Sequence, residues 1–263
     1  DVLVDTSAPE LKGANITDKS RCTIEASAKN KGHGLDMASI LVSQYFGVAP
    51  DATLYSYQLS TANSISAGTC EKDWEKLDTF ARLINQAIDD GAQIISISQG
   101  SGDDSEELKW AVARAMSEGV IIVNSAGNTA ADANSDQLSH WSGVVGVSAI
   151  TADGKFAEYS SWGNGVTTAA FGGPFTTRDD SYPTKFAVSN GSSNSAAIVS
   201  GLLALARQKW PDATANQILQ LLTHTGLNPD HRWDKYTGYG AINGGALVNT
   251  DPSQYPDENP LAQ

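Results

Sequence analysis

Short apolar runs rich in β-branched residues punctuate the chain at positions 2–4, 53–58, 93–98, 120–124 and 144–149. They are apolar at consecutive rather than alternate positions, which suits strands buried on both faces, as in a parallel sheet. Between them the period changes. Residues 74–90 place Leu77, Phe80, Ala81, Ile84 and Ile88 at three- and four-residue spacing, with Gly91 as the expected C-terminal stop. A second helix is predicted over 105–118, opened by Asp104 and stopped by Gly119, and a third over 214–225 before Gly226. Strand and helix in alternation predict an α/β fold, with a mostly parallel central sheet covered by helices on both faces. In such sheets chemistry collects in the loops beyond the carboxyl ends of the strands.

Three segments there carry candidate chemistry. Asp5 follows the first run, in Val2-Leu3-Val4-Asp5-Thr6-Ser7. Alone, such an acid reads as a turn or cap residue. His33 lies in Lys31-Gly32-His33-Gly34, ahead of the periodic Leu35, Met37, Ala38, Ile40 and Leu41. This predicts a helix with His33 in its first turn, where a lone histidine is as readily structural as functional. The third segment, Asn190-Gly191-Ser192-Ser193-Asn194-Ser195-Ala196-Ala197, leads small residues into Leu202, Leu203, Leu205 and Ala206, a buried helix closed at Trp210-Pro211. A serine at such a helix start meets free N–H groups and a positive dipole end, which serve an oxyanion as well as a cap. His140, His224 and His231 have no comparable setting and read as surface or packing residues.

Together the segments resemble the subtilisin-like serine proteases, the subtilases. That family shows Asp-Thr-Gly after a first strand, His-Gly-Thr-His opening a helix, and Gly-Thr-Ser-Met-Ala opening a later one. The counterparts are Asp5-Thr6-Ser7, His33-Gly34-Leu35-Asp36 and Gly191-Ser192-Ser193-Asn194-Ser195, in the chain order of subtilisin. Gly47-Val48-Ala49-Pro50, Ile95-Ser96-Ile97-Ser98-Gln99-Gly100 and Ser125-Ala126-Gly127-Asn128 extend the resemblance, which runs from residue 2 to about 248. It implies a triad of Asp5, His33 and Ser193, with Asn128 as side-chain donor to the oxyanion. It also implies a polypeptide substrate lying along Ser98, Gln99 and Gly100, with Ser125, Ala126 and Gly127 as the opposite wall. These walls are small or polar, with Thr129 beside them, so narrow cleavage specificity is expected.

Ser7, Leu35-Asp36, Asn194 and Ala197 depart from the family's pattern without removing a catalytic atom, and point to a branch with particular substrates. The ending resembles the close of mycosin-type ectodomains of actinobacteria, membrane-tethered subtilases, through Gly238-Tyr239-Gly240-Ala241-Ile242-Asn243 and the later Asp251-Pro252, Tyr255-Pro256 and Asn259-Pro260. Two alternatives to hydrolysis stay open. One is a peptide ligase or macrocyclase on the same triad, and the other is a non-catalytic peptide-binding or assembly relative.

Composition narrows the partners. Lysine and arginine number 17 against 30 acidic residues, a formal net charge of −13, which repels nucleic acid. No close oxygen-ligand cluster stands out, Asp103-Asp104 and Asp179-Asp180 reading as a helix cap and a surface loop, so neither metal nor cofactor is expected. One catalytic domain is expected over 1–250, followed by a proline-containing tail, 251–263. The abrupt opening on an apolar run reads as a processed or trimmed form. With no apolar run of 18 residues, membrane contact is expected only through an anchor beyond the given chain.

Cys22 and Cys70 fit a single disulfide in a secreted or extracytoplasmic protein. They follow the runs at 2–4 and 53–58, and parallel strands bring such loops to one edge of the sheet. Closing a loop of that length stabilises by about 4 kcal/mol in the chain-entropy model. Titration of the unreduced, denatured protein is expected to find no free thiol, and two titratable thiols would refute the bridge.

Overall fold

The computed structural model describes residues 1, 3–20, 28–59, 79–100, 102–132, 137–178 and 185–262, with backbone alone at 28–31 and 231. Strands β1 (Ile16–Asp18) and β2 (Leu54–Ser56) pair in parallel, Ile16 opposite Leu54. Strands β3 (Ile94–Ile97), β4 (Ile121–Ser125), β5 (Val144–Ile150) and β6 (Val166–Phe171) form a second parallel sheet in that spatial order.

Both faces of the four-stranded sheet are covered, as the unbroken apolar runs require. On one face Ile121, Val123, Val145 and Val147 pack against Ala196, Val199, Leu203 and Ala206 of the helix Ser192–Lys209 and against Ile218 and Leu222 of the helix Ala215–His224. On the other, Ile97, Ile122 and Val144 meet Ile84 and Ile88 of the helix Phe80–Asp89 and Leu108, Ala111 and Val112 of the helix Glu106–Ser117. Alternate residues of β4 thus serve opposite layers. The helix Ala28–Val42 covers the small sheet, placing Leu35, Ala38 and Val42 against Leu11, Ile16 and Leu54. In chain order these helices are α1 (Ala28–Val42), α2 (Phe80–Asp89), α3 (Glu106–Ser117), α4 (Ser192–Lys209) and α5 (Ala215–His224), followed by α6 (Gly244–Asn249).

Local chemistry explains where the helices begin. Ser105, rather than Asp104, caps α3, its hydroxyl accepting from Leu108 N, while the Asp103 carboxylate accepts from Ser105 N at 2.9 Å. Thr214 and Gln217 form a capping box on α5.

Several expectations are corrected. Residues 3–4 form no strand. Helix α1 starts at Ala28, so His33 stands in its second turn; one glycine inside a helix costs only about 1 kcal/mol, and Gly32 did not stop it. An antiparallel hairpin of β7 (Phe175–Arg178) and β8 (Phe186–Ser189), unsignalled by any apolar run, precedes α4. The segment 251–262 is docked on α5 and the turn before β5: Gln217 and Gln220 donate to Tyr255 O and Glu258 O, and Gly143 N donates to Leu261 O at 2.9 Å. Cys22, Cys70, Asp179-Asp180 and residues 74–78 of the expected second helix lie outside the described residues. Among the described residues, no helix is long and apolar enough to cross a membrane, and no group of three or more His, Cys, Asp or Glu side chains is placed to hold a metal ion.

Leu203 is fully buried where α4 crosses the sheet. Leu203→Ala is expected to lower the unfolding free energy by about 2–5 kcal/mol through lost burial and the cavity left behind. An unchanged urea midpoint would contradict this placement of the core.

Candidate active site

Because β3 and β4 are neighbours and parallel, their C-terminal extensions, Ser98-Gln99-Gly100 and Ser125-Ala126-Gly127, emerge at the same sheet edge. Helix α4 begins at that edge. Gly191 N donates to Gly172 O just beyond β6 at 2.8 Å, which fixes the approach of the chain. Ser193 then meets β3: its hydroxyl donates to Ser98 O at 3.1 Å, and the Ser98 hydroxyl donates back to Ser193 O at 3.2 Å. The neighbouring hydroxyls are committed elsewhere. Ser192 Oγ sits among Gly127 N, Gly127 O and Asn128 Oδ1, and Ser195 Oγ donates to Ala170 O inside the core. Of the three, only the Ser193 hydroxyl bonds the extension of β3.

The acid facing His33 is Asp1, not Asp5. His33 Nδ1 lies 2.9 Å from Asp1 Oδ2 and 3.1 Å from Oδ1. Asp5 instead closes its own exposed turn, accepting from Ser7 N at 3.0 Å and Ser7 Oγ at 2.6 Å, while Asp5 O accepts from Ala8 N. The cause is steric. Leu3 O crosses directly over Gly34, so closely that a Cβ there would sit 1.8 Å from it, and Val4 packs against the apolar face of α1. The chain then turns outward into the short 3-10 helix Pro9–Leu11, carrying Asp5 away. Asp1, two residues before Leu3, is left beside His33. Its main chain is pinned by Leu59 N, which donates to Asp1 O at 2.8 Å, and its carboxylate accepts from Gln99 Nε2 at 3.3 Å. The Asp1 side chain is 12% exposed and that of His33 37%, so the acid is withdrawn while the imidazole reaches the cleft.

On the other side of Ser193, Asn128 Oδ1 accepts from Ser192 N at 2.8 Å. Since a backbone N–H can only donate, the amide must turn its Nδ2 the other way. The point that a side chain on Gly191 would occupy lies 3.2 Å from Asn128 Nδ2 and 3.7 Å from Ser193 N. That nitrogen, in the first turn of α4, has no helical carbonyl to bond. Two donors therefore converge on one space, and the missing side chain of Gly191 keeps it open.

Beneath β4's extension, Thr129 N and Oγ1 both meet Ser161 Oγ, at 3.2 and 3.0 Å, and a Cβ on Gly127 (φ +105°) would sit 3.1 Å from the same oxygen. Ala130 (φ +51°) is in the left-handed region, a strained setting for a residue with a Cβ, and its N–H donates to Tyr159 O. On β3's extension, a Cβ on Gly100 would lie 3.1 Å from Gln137 Oε1. A cavity of about 610 Å³ between β2 and β3 touches Asp1, Ser98 and Gln99, but neither Ser193 nor Asn128 lines it, so it lies behind the cleft. Two other histidines serve packing. His140 backs onto Gly165, its imidazole held below the ordinary range by burial, and His224 Nδ1 lies 2.8 Å from Gln220 O.

Sequence reasoning missed Asp1, the side-chain reach of Gln99 and the floor residue Ser161. Asp1 lies in no readable pattern, whereas Asp5-Thr6 stands directly after the apolar run, where the family's motif is expected.

The chain matches the subtilase family model over residues 4–240. It is 30% identical over 226 residues to a thermostable alkaline protease of Halalkalibacterium halodurans, covering 84% of this chain and 57% of that protein. It is 28% identical over 270 residues to mycosin-4 of Mycobacterium tuberculosis, covering 87% and 59%. The chain thus spans under two thirds of the length of these two relatives. Among solved structures, the self-cleaved protease domain of PatA superposes with a TM-score of 0.73 at 24% identity, covering 94% of this chain and 92% of that one. MycP1 from Mycobacterium smegmatis gives 0.71 at 24% identity, covering 94% and 81%. The PatG macrocyclase in complex with peptide gives 0.73 at 17% identity, covering 94% and 88%.

The contact of Leu3 with Gly34 yields a direct test. Gly34→Ala is expected to push residues 1–4 off α1, lowering the thermal midpoint and freeing His33 from Asp1. An unchanged thermal midpoint would refute this account of how residues 1–4 are held.

Proposed function

Because the chain belongs to the subtilase family, we propose that it is a serine endopeptidase whose triad is Asp1, His33 and Ser193. The observation that carries this reading is the convergence of Asn128 Nδ2 and the Ser193 N–H on one point beside the Ser193 hydroxyl. The aspartate–histidine pair is tied to the same strand end through Gln99, the residue after Ser98.

A neutral hydroxyl is a weak nucleophile and needs a base. Asp1 on Nδ1 holds His33 in the tautomer with its proton there, so that Nε2 accepts. To react, the Ser193 hydroxyl leaves Ser98 O, its acceptor at 3.1 Å, for that nitrogen. Attack on the scissile carbonyl transfers the proton to His33 and places negative charge on the substrate oxygen, between the two donors. His33 then passes the proton to the leaving amine, and water repeats the sequence on the acyl-enzyme. Asp1 stays ionised and stabilises the imidazolium throughout. The substrate backbone lies along Ser98, Gln99 and Gly100, with Ser125, Ala126 and Gly127 opposite. The small, hydroxyl-lined floor at Thr129 and Ser161 offers little apolar area, which supports a processing enzyme of narrow specificity. Such an enzyme, with the proposed Cys22–Cys70 bridge, belongs outside the cytoplasm.

Fluorophosphonate labelling with peptide hydrolysis tests the reading. Ser193→Ala should abolish both. Asp1→Asn should lower kcat on the order of 10⁴-fold, while Asp5→Asn stays close to the parent; the reverse ranking would return the triad to Asp5. Asn128→Ala should lose on the order of 10²–10³ in kcat with little change in KM, the magnitude known from subtilisin, a member of the same family. Hydrolysis should fall with acidification as His33 protonates. Ligated or cyclised products in place of hydrolysed ones would identify a ligase, and a failure to label would leave a peptide-binding relative.

A further inference from the structure

Asn124 lies in the middle of the sheet on β4, fully buried, in register with Ile97 on β3 and Gly146 on β5. An amide is an odd occupant after Ile121, Ile122 and Val123, in a strand whose residues are all buried. Its nitrogen accounts for the choice. Asn124 Nδ2 donates to Ile97 O and to Gln99 O, both at 2.9 Å. These carbonyls are two residues apart, just where β3 stops pairing with β4, since the ladder ends at Ile97–Asn124. Beyond that point the amide replaces the missing strand partner.

The consequence reaches the cleft. Along an extended chain successive carbonyls point to opposite sides, so holding Ile97 O and Gln99 O inward turns Ser98 O outward. Ser98 O is the acceptor of the Ser193 hydroxyl, and the Gln99 side chain reaches Asp1. Asn124 Oδ1, by contrast, is buried without a partner. The side chain thus keeps one buried acceptor unpaired while its nitrogen satisfies two carbonyls of the main chain.

We propose that Asn124 is a positioning residue that clamps Ser98, Gln99 and Gly100 in the extended form that pairs with substrate backbone. The inference rests on the peptidase reading but concerns a separate property, the dependence of turnover on substrate length. A short ester engages Ser193, His33 and the oxyanion donors without pairing along residues 98–100. An extended peptide needs both.

The experiment compares Asn124→Leu and Asn124→Asp with the parent. Each is close to asparagine in size, and neither retains two N–H donors. For an extended peptide, kcat/KM is expected to fall tenfold or more, chiefly through KM. Turnover of a short ester should fall less than that of the extended peptide in the same variants. Equal losses on both substrates, or none on either, would overturn the proposal. If the leucine variant does not fold, Asn124→Ala, which buries neither a charge nor a new acceptor, carries the comparison. Should the parent cleave nothing, the peptidase reading fails on its own. The clamp is then read by calorimetric binding of the same peptide to the parent and the Asn124 variants, where equal affinity would overturn it.

Discussion

The reciprocal hydrogen bonds between Ser98 and Ser193 join the open end of the sheet to the first turn of α4, and the other parts of the cleft take their positions from that join. Each residue gives its hydroxyl to the other's carbonyl, so neither backbone can shift along its axis without breaking both bonds. From Ser98 the connection passes through Gln99 to Asp1 and on to His33. From Ser193 it passes through Ser192 to Asn128. The placement of His33 and of Asn128 thus traces back to one strand–helix contact rather than to independent loops.

That contact is possible because the first half of α4 is built of small residues. Ser192, Ser193, Asn194, Ser195, Ala196 and Ala197 are all buried, letting the helix axis lie close against strand ends. Close approach brings polar atoms inside, and each finds an acceptor. Asn194 donates to Gly172 O, Ser195 to Ala170 O, and Ser200 to Ala196 O, with Ser96 Oγ 2.9 Å from the same hydroxyl. Buried hydroxyls without partners would be costly; satisfied, they fix the rotation of the helix as well as its position. The apolar half that follows, with Val199, Leu203 and Ala206 in the core, supplies burial energy without setting geometry so finely.

What the sequence displays and what it hides divide along the same line. Largely apolar runs at 93–98, 120–124 and 144–149 mark parallel strands because burial on both faces leaves few polar positions. The Ser193 segment is legible because small residues followed by a leucine-rich helix have few other uses. Asn128 could be read from its motif, and its orientation follows once Ser192 is placed. Asp1 could not, since its selection over Asp5 depends on Leu3 crossing Gly34, a contact between segments thirty residues apart. The β7–β8 hairpin escaped for a different reason. Phe186 and Val188 are exposed on it, so no buried face imposes a pattern. Asn124 reads as an interruption in an apolar run, and only the geometry shows the two carbonyls it serves.

The acid's surroundings connect folding to chemistry. A carboxylate withdrawn to 12% exposure loses much of its hydration, a cost recovered only through hydrogen bonds to the charged form. Gln99 Nε2 and the His33 ring supply them, and Leu59 N holds the main chain so that the carboxylate cannot swing into water. When His33 gains a proton, the pair changes from a neutral–ionic contact to a full ion pair in the same geometry. The attraction is then greatest at the moment positive charge develops, and little reorganisation is needed to obtain it. An acid at Asp5, exposed and already bonded to Ser7, would face its partner through water and contribute far less. The burial that makes Asp1 expensive to place is therefore what makes it effective as the partner of His33.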